Sequence, residues 1–366
     1  MSVSTATIIF CALCPGHFCR NWEKGLVLPE NQSAFFIFTF ELTGFPIMHV
    51  PGISVVVPIY NMEKFISSTL KCLAEQDFGD LEVILVDDGS TDRTSDIISK
   101  TLKGDARFRL ISTVNRGYGH ACNLGVAQAT GEYLAVYEPD DALAKDFYWK
   151  LYTAAKAHPQ AEVIRYNGFY NVAPDGERHK LYTWEACYTG KLLDKNTMKR
   201  FWRSHPSVYN GIYLADFLRR KQISFCETPG ASYQDVPFMI SLYYSNPTIY
   251  ILNDAGYYHA LHPGQSVNFV DRKVDAVLKN WSLEYAWLKE NRYGEDESFF
   301  FYRICMQADS ILKKLAAPEA KRKILRELKK YFKKESLNCP VSTFKEWRHY
   351  GINFLKTFIK LNLDKR

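Results

Sequence analysis

Between residues 53 and 167 short apolar runs alternate with longer stretches of helical spacing. ISVVV (53–57) is β-branched and apolar throughout, the pattern of a strand buried on both faces. Residues 62–75 carry a helical period, and LEVILVDD (81–88) is a second strand. The cluster Ser90, Thr91, Asp92 offers N-caps for a helix running to about residue 103. RFRLIS (107–112), a helix over 119–129, EYLAVY (132–137), a helix over 145–158 and AEVIRYN (161–167) complete the series. Strands alternating with helices at this spacing predict βαβ units, an α/β fold and a mostly parallel central sheet. From about residue 273 the pattern is helical.

Residues 1–47 stand apart, with five charged residues and no clear period of 2 or 3.6. Their first positive charge, Arg20, precedes an apolar stretch at 34–40 that lies too late for a secretory signal. Met48 sits just before the first strong strand, so translation is expected to start there and 1–47 to be a start-site artefact. The reading divides the chain into this extension, a domain over 48–270 (donor half 52–141, acceptor half 142–270) and a basic helical region over 271–366.

No run reaches the ~18 uninterrupted apolar residues of a membrane span. Of the net charge of +6, residues 313–366 carry 16 Lys/Arg against 5 Asp/Glu, so the rest of the chain is net negative. That tail reads either as an amphipathic surface for anionic lipid or as a solvated basic face on a packing helix. No nucleic-acid-binding motif accompanies the charge. Nine scattered cysteines suit reduced thiols and a cytoplasmic location, with a peripheral position at the inner membrane face as an extension. Cys11, Cys14, His17 and Cys19 lack the loop that separates ligand pairs in zinc sites.

In open parallel sheets ligands bind beyond the carboxyl ends of the strands. Here those ends carry Pro58-Ile59-Tyr60-Asn61, Asp87-Asp88-Gly89-Ser90 and Glu138-Pro139-Asp140-Asp141. One such cluster is an ordinary turn or cap. Three at one edge gather carboxylates that repel unless a cation or a donor-rich ligand sits among them.

VVVPIYN (55–61), VILVDDGSTD (83–92), NRGYGHACNLG (115–125) and GEYLAVYEPDD (131–141) resemble, in order and spacing, the nucleotide-sugar-binding half of family 2 glycosyltransferases. The resemblance covers about residues 52–270. It implies the GT-A fold with a helical C-terminal extension, a nucleoside-diphosphate sugar donor (a UDP-sugar by family habit), Mn²⁺ or Mg²⁺, and inversion at the anomeric carbon. It places the nucleotide on Pro58, Tyr60, Asn61, Asp87, Asp88, Gly117, Glu138 and Pro139, with Tyr60 against the base and Asp87 or Asp88 accepting from its imide. It places the cation on Asp140 first and Asp141 second. Glu138 stands where the family commonly has Asp, and Cys122 where many relatives carry Arg, leaving Arg116 as the nearest substitute.

Residues 205–238 resemble the family's approach to its base, usually Glu-Asp and here Gln234-Asp235. An inverting displacement needs one carboxylate to take the acceptor hydroxyl proton, which assigns Asp235; it also suits the cap of a helix beginning near Val236. Gln234, Trp184 and Tyr209 are the acceptor-side candidates. YYHALHPGQSVN (257–268) resembles a segment that closes over the diphosphate, giving His259 and His262 as metal or phosphate contacts and Ser266 as a hydrogen bond. The implied activity is transfer to a glycan or lipid-linked acceptor in bacterial cell-envelope polysaccharide synthesis. The competing readings are a non-catalytic nucleotide-sugar binder with a decayed site and an oxidoreductase. GYGHACNLG (117–125) has the wrong glycine spacing for the latter.

Overall fold

The computed structural model describes residues 5–10, 36–41, 49–102, 104–183, 186–193, 206–231, 233–265, 270–291 and 297–335. The chain divides into two compact units, 1–49 and 50–366. In the first, β1 (Thr5–Phe10) pairs antiparallel with β2 (Phe36–Glu41), Thr5 opposite Glu41 and Phe10 opposite Phe36. Regular structure was not expected there. Both strands are rich in β-branched and aromatic residues, which suit a pleated pair better than their weak alternation suggests.

The second unit runs β3 (Ile53–Ile59), α1 (Ile66–Ala74), β4 (Leu81–Asp87), α2 (Thr94–Thr101), β5 (Phe108–Ser112), α3 (Tyr118–Gln128), β6 (Tyr133–Val136), β7 (Ala142–Leu143), α4 (Phe147–Ala157), β8 (Val163–Tyr166), β9 (Gly168–Val172) and β10 (Arg178–Tyr182). It continues with β11 (Leu192–Leu193), β12 (Gly211–Leu214), α5 (Ala215–Arg220), α6 (Asp235–Tyr244), β13 (Ile249–Leu252), β14 (Tyr257–Ala260), α7 (Val274–Glu290), α8 (Glu297–Lys314) and α9 (Pro318–Glu335). The predicted α/β series is found within a few residues at every boundary.

The eight-stranded sheet has the order β11-β13-β8-β12-β6-β3-β4-β5. β3 lies parallel to both β4 and β6, and β4 to β5, so three consecutive carboxyl ends open on one edge. β12 is antiparallel between β6 and β8. Every residue of β3 is buried, as its uniform apolar run requires. A second sheet, β10-β9-β14-β7, pairs β14 with β7, the strand that follows the third acidic cluster, with Tyr257 opposite Leu143.

The three C-terminal helices pack by their apolar stripes. Trp281, Tyr285 and Leu288 of α7 and Phe300, Ile304 and Ile311 of α8 are buried. Ile324, Leu328 and Tyr331 of the basic helix α9 are buried too, with Tyr331 5.4 Å from Tyr285 and 5.5 Å from Phe300 between ring centroids. For 318–335 the packing-helix reading therefore holds, since its apolar stripe is already covered. The aromatic-aliphatic segment at 351–363 lies outside the described residues. No described helix is long and apolar enough to cross a membrane.

Candidate active site

The three strand ends and the loop after β14 enclose a cleft of about 1110 Å³, just above the roughly 300–1,000 Å³ of ordinary small-molecule pockets and so roomy enough for a nucleotide-sized ligand. Pro58, Tyr60 and Asn61 line it from β3, Asp88 from β4, Gly117 and Tyr118 from the start of α3, and Glu138, Pro139 and Asp140 from β6. Tyr60 is 44% exposed, leaving its ring face open. Asn61 has φ +53°, a conformation Asn tolerates better than most residues. Its amide N–H donates to Ser90 Oγ at 2.9 Å and its side-chain oxygen accepts from Thr91 N–H at 2.8 Å, which ties the first strand end to the second.

The adjacent carboxylates Asp87 and Asp88 are both buried, and they do different work. Asp87 accepts from Ser90 N–H at 2.9 Å and from the Ser95 hydroxyl, holds its own loop, and is not among the cleft-lining residues. Asp88 lines the cleft and accepts from the N–H groups of Arg116 and Gly117 at 2.9 and 2.8 Å. Of the two, only Asp88 is among the cleft-lining residues. Gly117 has φ +99°, and a Cβ there would meet Thr228 O at 2.6 Å and Gly230 N at 2.9 Å. Only glycine fits both constraints. The Arg116 guanidinium turns to Glu227 at 3.6 Å.

The third cluster splits the same way. Asp140 faces the cleft and receives His262 Nε2 at 2.9 Å; both side chains are partly exposed. Asp141 points inward with its side chain fully buried, and accepts from Tyr257 OH (2.6 Å), His259 Nδ1 (3.2 Å) and Ala260 N–H (2.8 Å). Burial pushes its carboxyl up against the opposing pull of His259. Burial also acts to lower the His259 pKa, and the Asp141 carboxylate outweighs it and holds the ring above its usual value. The second nitrogen of His259 meets Gln265 Nε2 at 3.2 Å. Neither Asp141 nor His259 lines the cleft. The expected cation positions at Asp141 and His259 thus meet a different geometry: the turn at 138–141, closed by Asp141 N–H donating to Glu138 O at 3.2 Å, carries the Asp141 carboxylate inward to Tyr257, His259 and Ala260. Glu138 accepts from Tyr118 OH at 2.6 Å. Burial, with added repulsion from Asp140, Asp141 and Asp235, keeps its carboxyl well above the usual range.

Asp235 opens α6, half-buried, close enough that its charge adds to the burial-driven upward shifts of Tyr118, Glu138 and Tyr209. Gln234 does not face an acceptor. It is 1% exposed, and its amide donates to Thr228 Oγ1 (3.0 Å) and Gly230 O (2.8 Å). Tyr209 is buried, stacked 4.3 Å from Tyr257 between centroids, which is packing rather than a groove wall. Trp184 and Ser266 lie outside the described residues.

Sequence reasoning missed Lys64, Phe65, Asn115 and Lys273, all on the cleft wall. Lys64 and Phe65 lie three and four residues after Asn61 and could have been read from the same strand end. Lys273 had no local signal, since it sits at the start of α7 and reaches the cleft through the fold. Burial lowers its pKa to about 8.

No group of three or more His, Cys, Asp or Glu side chains converges as a metal cage among the described residues. Asp140 presents to the cleft a carboxylate oxygen of the kind a hard cation takes, and His262 Nε2 is paired to it at 2.9 Å.

A parallel sheet with an acid-lined cleft at its carboxyl edge is the architecture of a GT-A enzyme. Comparison agrees: the Staphylococcus aureus TarS 1-349 structure in complex with UDP-GlcNAc aligns with TM-score 0.50 at 21% identity, over 75% of this chain and 89% of that one. The model of Glycosyl transferase family 2 matches residues 54–213. The Bacillus subtilis glycosyltransferase EpsH is 33% identical over 260 residues, 68% of this chain and 72% of its own length. EpsJ of the same organism is 28% identical over 253 residues, 67% of this chain and 71% of EpsJ. The chain belongs to glycosyltransferase family 2.

Proposed function

We propose that this glycosyltransferase moves a sugar from a UDP-sugar to a hydroxyl of a glycan or lipid-linked acceptor, with inversion, in the building of cell-surface polysaccharide. The observation that carries the reading is the convergence of Tyr60, Asp88, Asp140, His262 and Lys273 on one cleft of nucleotide-sugar size. Tyr60 offers a ring face to the base, and Asp88, anchored by two backbone N–H groups, accepts from the base imide. Lys273 places a cation beside the diphosphate. Asp140 and His262 would hold Mn²⁺ or Mg²⁺, which when bound neutralises the charge growing on the departing diphosphate.

Asp235 takes the proton of the acceptor hydroxyl as that oxygen attacks the anomeric carbon from the face opposite the diphosphate. The bond to the diphosphate oxygen breaks, and the proton stays on the Asp235 carboxyl until it passes to solvent. Glu138 shapes the cleft wall, and Asp141 braces the loop after β14 from behind it, instead of joining the chemistry. A peripheral contact with anionic lipid would fall to residues beyond 335, because the apolar stripe of α9 is buried.

Thermal unfolding with UDP, GDP, CDP and NAD, each with and without Mn²⁺, tests the reading. A ligand bound only by the folded state adds about 2.7 kcal/mol at a hundredfold excess over Kd. The expected result is a Mn²⁺-enhanced shift with UDP and none with NAD. Stabilisation by NAD, or by no nucleotide, overturns it.

A further inference from the structure

The segment Phe225–Gly230 is fastened on three sides. Against α3, Asn123 accepts from Phe225 N–H at 2.9 Å and donates to Phe225 O at 2.9 Å, and Tyr118 N–H donates to Gly230 O at 3.1 Å. Within the segment's own loop, Gln234 Nε2 reaches back to Thr228 Oγ1, Thr228 O (3.2 Å) and Gly230 O. From the C-terminal region, Asn280 of α7 accepts the Thr228 hydroxyl at 2.9 Å. Thr228, Gln234 and Asn280 are 1%, 1% and 2% exposed.

These bonds have a fixed direction. Three acceptors face the Gln234 amide nitrogen, so Gln234 is the donor. Thr228 Oγ1 takes one of those protons and passes its own to Asn280 Oδ1. A buried polar chain of this kind costs stability when any member is left unpaired, and it holds its members in one geometry. Gln234 is the residue before Asp235 and the N-cap of α6. Whatever fixes Gln234 fixes the first turn of that helix, including Asp235.

We propose that Asn280 is a positioning residue for sugar transfer: through Thr228 and Gln234 it sets the place of Asp235. The proposal rests on the reading of Asp235 as the base. It gives the C-terminal helices a part in turnover, although Asn280 lies beyond the residues that the family model matches. It also accounts for Gln where the family usually has Glu, since an amide can donate into this ring of oxygens and a carboxylate cannot.

The test uses the full chain and three variants: Thr228→Val, which removes the hydroxyl at constant shape; Asn280→Leu, which removes the acceptor; and Thr228→Ser, which keeps the hydroxyl. Turnover, donor KM and melting temperature are measured for each, with Asp235→Asn alongside. A misplaced catalytic group loses rate without losing donor binding. Thr228→Val and Asn280→Leu are expected to lower kcat about tenfold with donor KM within twofold, while Thr228→Ser stays near wild type. Unchanged kcat in both Thr228→Val and Asn280→Leu overturns the proposal, as does a donor KM that rises in step with the lost rate. Should Thr228→Val alone fold, its kcat against that of Thr228→Ser decides the matter. If Asp235→Asn is inactive while Thr228→Val and Asn280→Leu are normal, only the relay fails; if Asp235→Asn turns over normally, the base assignment itself is wrong.

Discussion

Asp140 and Asp141 are neighbours in sequence, and the structure assigns them opposite tasks, so exchanging each for Asn should separate stability from donor binding. Asp141 is a fully buried carboxylate receiving Tyr257 OH, His259 Nδ1 and Ala260 N–H. An Asn there loses the charge, and its NH₂ is turned toward groups that donate. Breaking a buried ion pair by removing one partner costs roughly 3–5 kcal/mol, a large part of the 5–15 kcal/mol that typical domains possess. With a urea m-value of about 3 kcal/mol/M, the unfolding midpoint of Asp141→Asn should fall by about 1–1.7 M. Asp140 pairs with His262 at a partly exposed site. An ion pair of that kind contributes about 0–1 kcal/mol, so Asp140→Asn should move the midpoint by no more than about 0.3 M. Titration with UDP should then show the reverse order: Asp140→Asn loses the enhancement by Mn²⁺, and Asp141→Asn keeps it at a temperature where it is folded. Equal destabilisation by the two changes would refute this division of labour. So would an Asp141→Asn that stays within about 0.5 kcal/mol of wild type and loses the Mn²⁺ effect.

Gly117→Ala puts a side chain at φ +99° and into the backbone of Thr228 and Gly230; strain alone costs about 1–3 kcal/mol, so a lowered urea midpoint together with weaker UDP binding is expected. The depressed pKa of Lys273, about 8, sets a direction for donor affinity with pH. The diphosphate binds the protonated amine, so affinity is level below pH 8 and declines above it; calorimetric titration from pH 6.5 to 9.5 should show that decline, and Lys273→Arg, charged throughout, should remove it. Leu328→Ala, in the stripe of α9 that is 2% exposed, should cost about 2–5 kcal/mol in urea unfolding; a neutral result would mean that α9 is not docked.

The order of strands and helices from 53 to 167 was legible because the strands are short apolar runs bounded by Gly, Pro and Asp, and because parallel pairing sends all their carboxyl ends one way. That was enough to find Tyr60, Asp88, Glu138 and Asp140 as cleft residues. It was not enough to divide adjacent carboxylates. Asp141 is turned inward by Tyr257, His259 and Ala260, which are 116–119 residues away and arrive through the pairing of β14 with β7. Both pairs lie at or beyond the strand ends, where the turn and not strand alternation sets which carboxylate faces the cleft. Lys273 reaches the cleft wall only through the fold, and nothing local marks it; Gln234 bonds back four to six residues within its own loop, a turn geometry that the residue types alone do not announce. The β1–β2 pair was missed because its segments are flat apolar and polar mixtures without a turn signal joining them, and 25 residues separate the strands.

The measurement that bears most directly on the central claim is UDP release from UDP-sugars with Mn²⁺ and a hydroxyl acceptor, run in parallel on the full chain and on Asp235→Asn, with UDP binding measured on both. The account predicts that Asp235→Asn binds UDP as well as the full chain does and loses acceptor-dependent release by about a hundredfold or more, at the low end of the 10²–10⁴ that general-base catalysis contributes. Release by Asp235→Asn at the wild-type rate would contradict it.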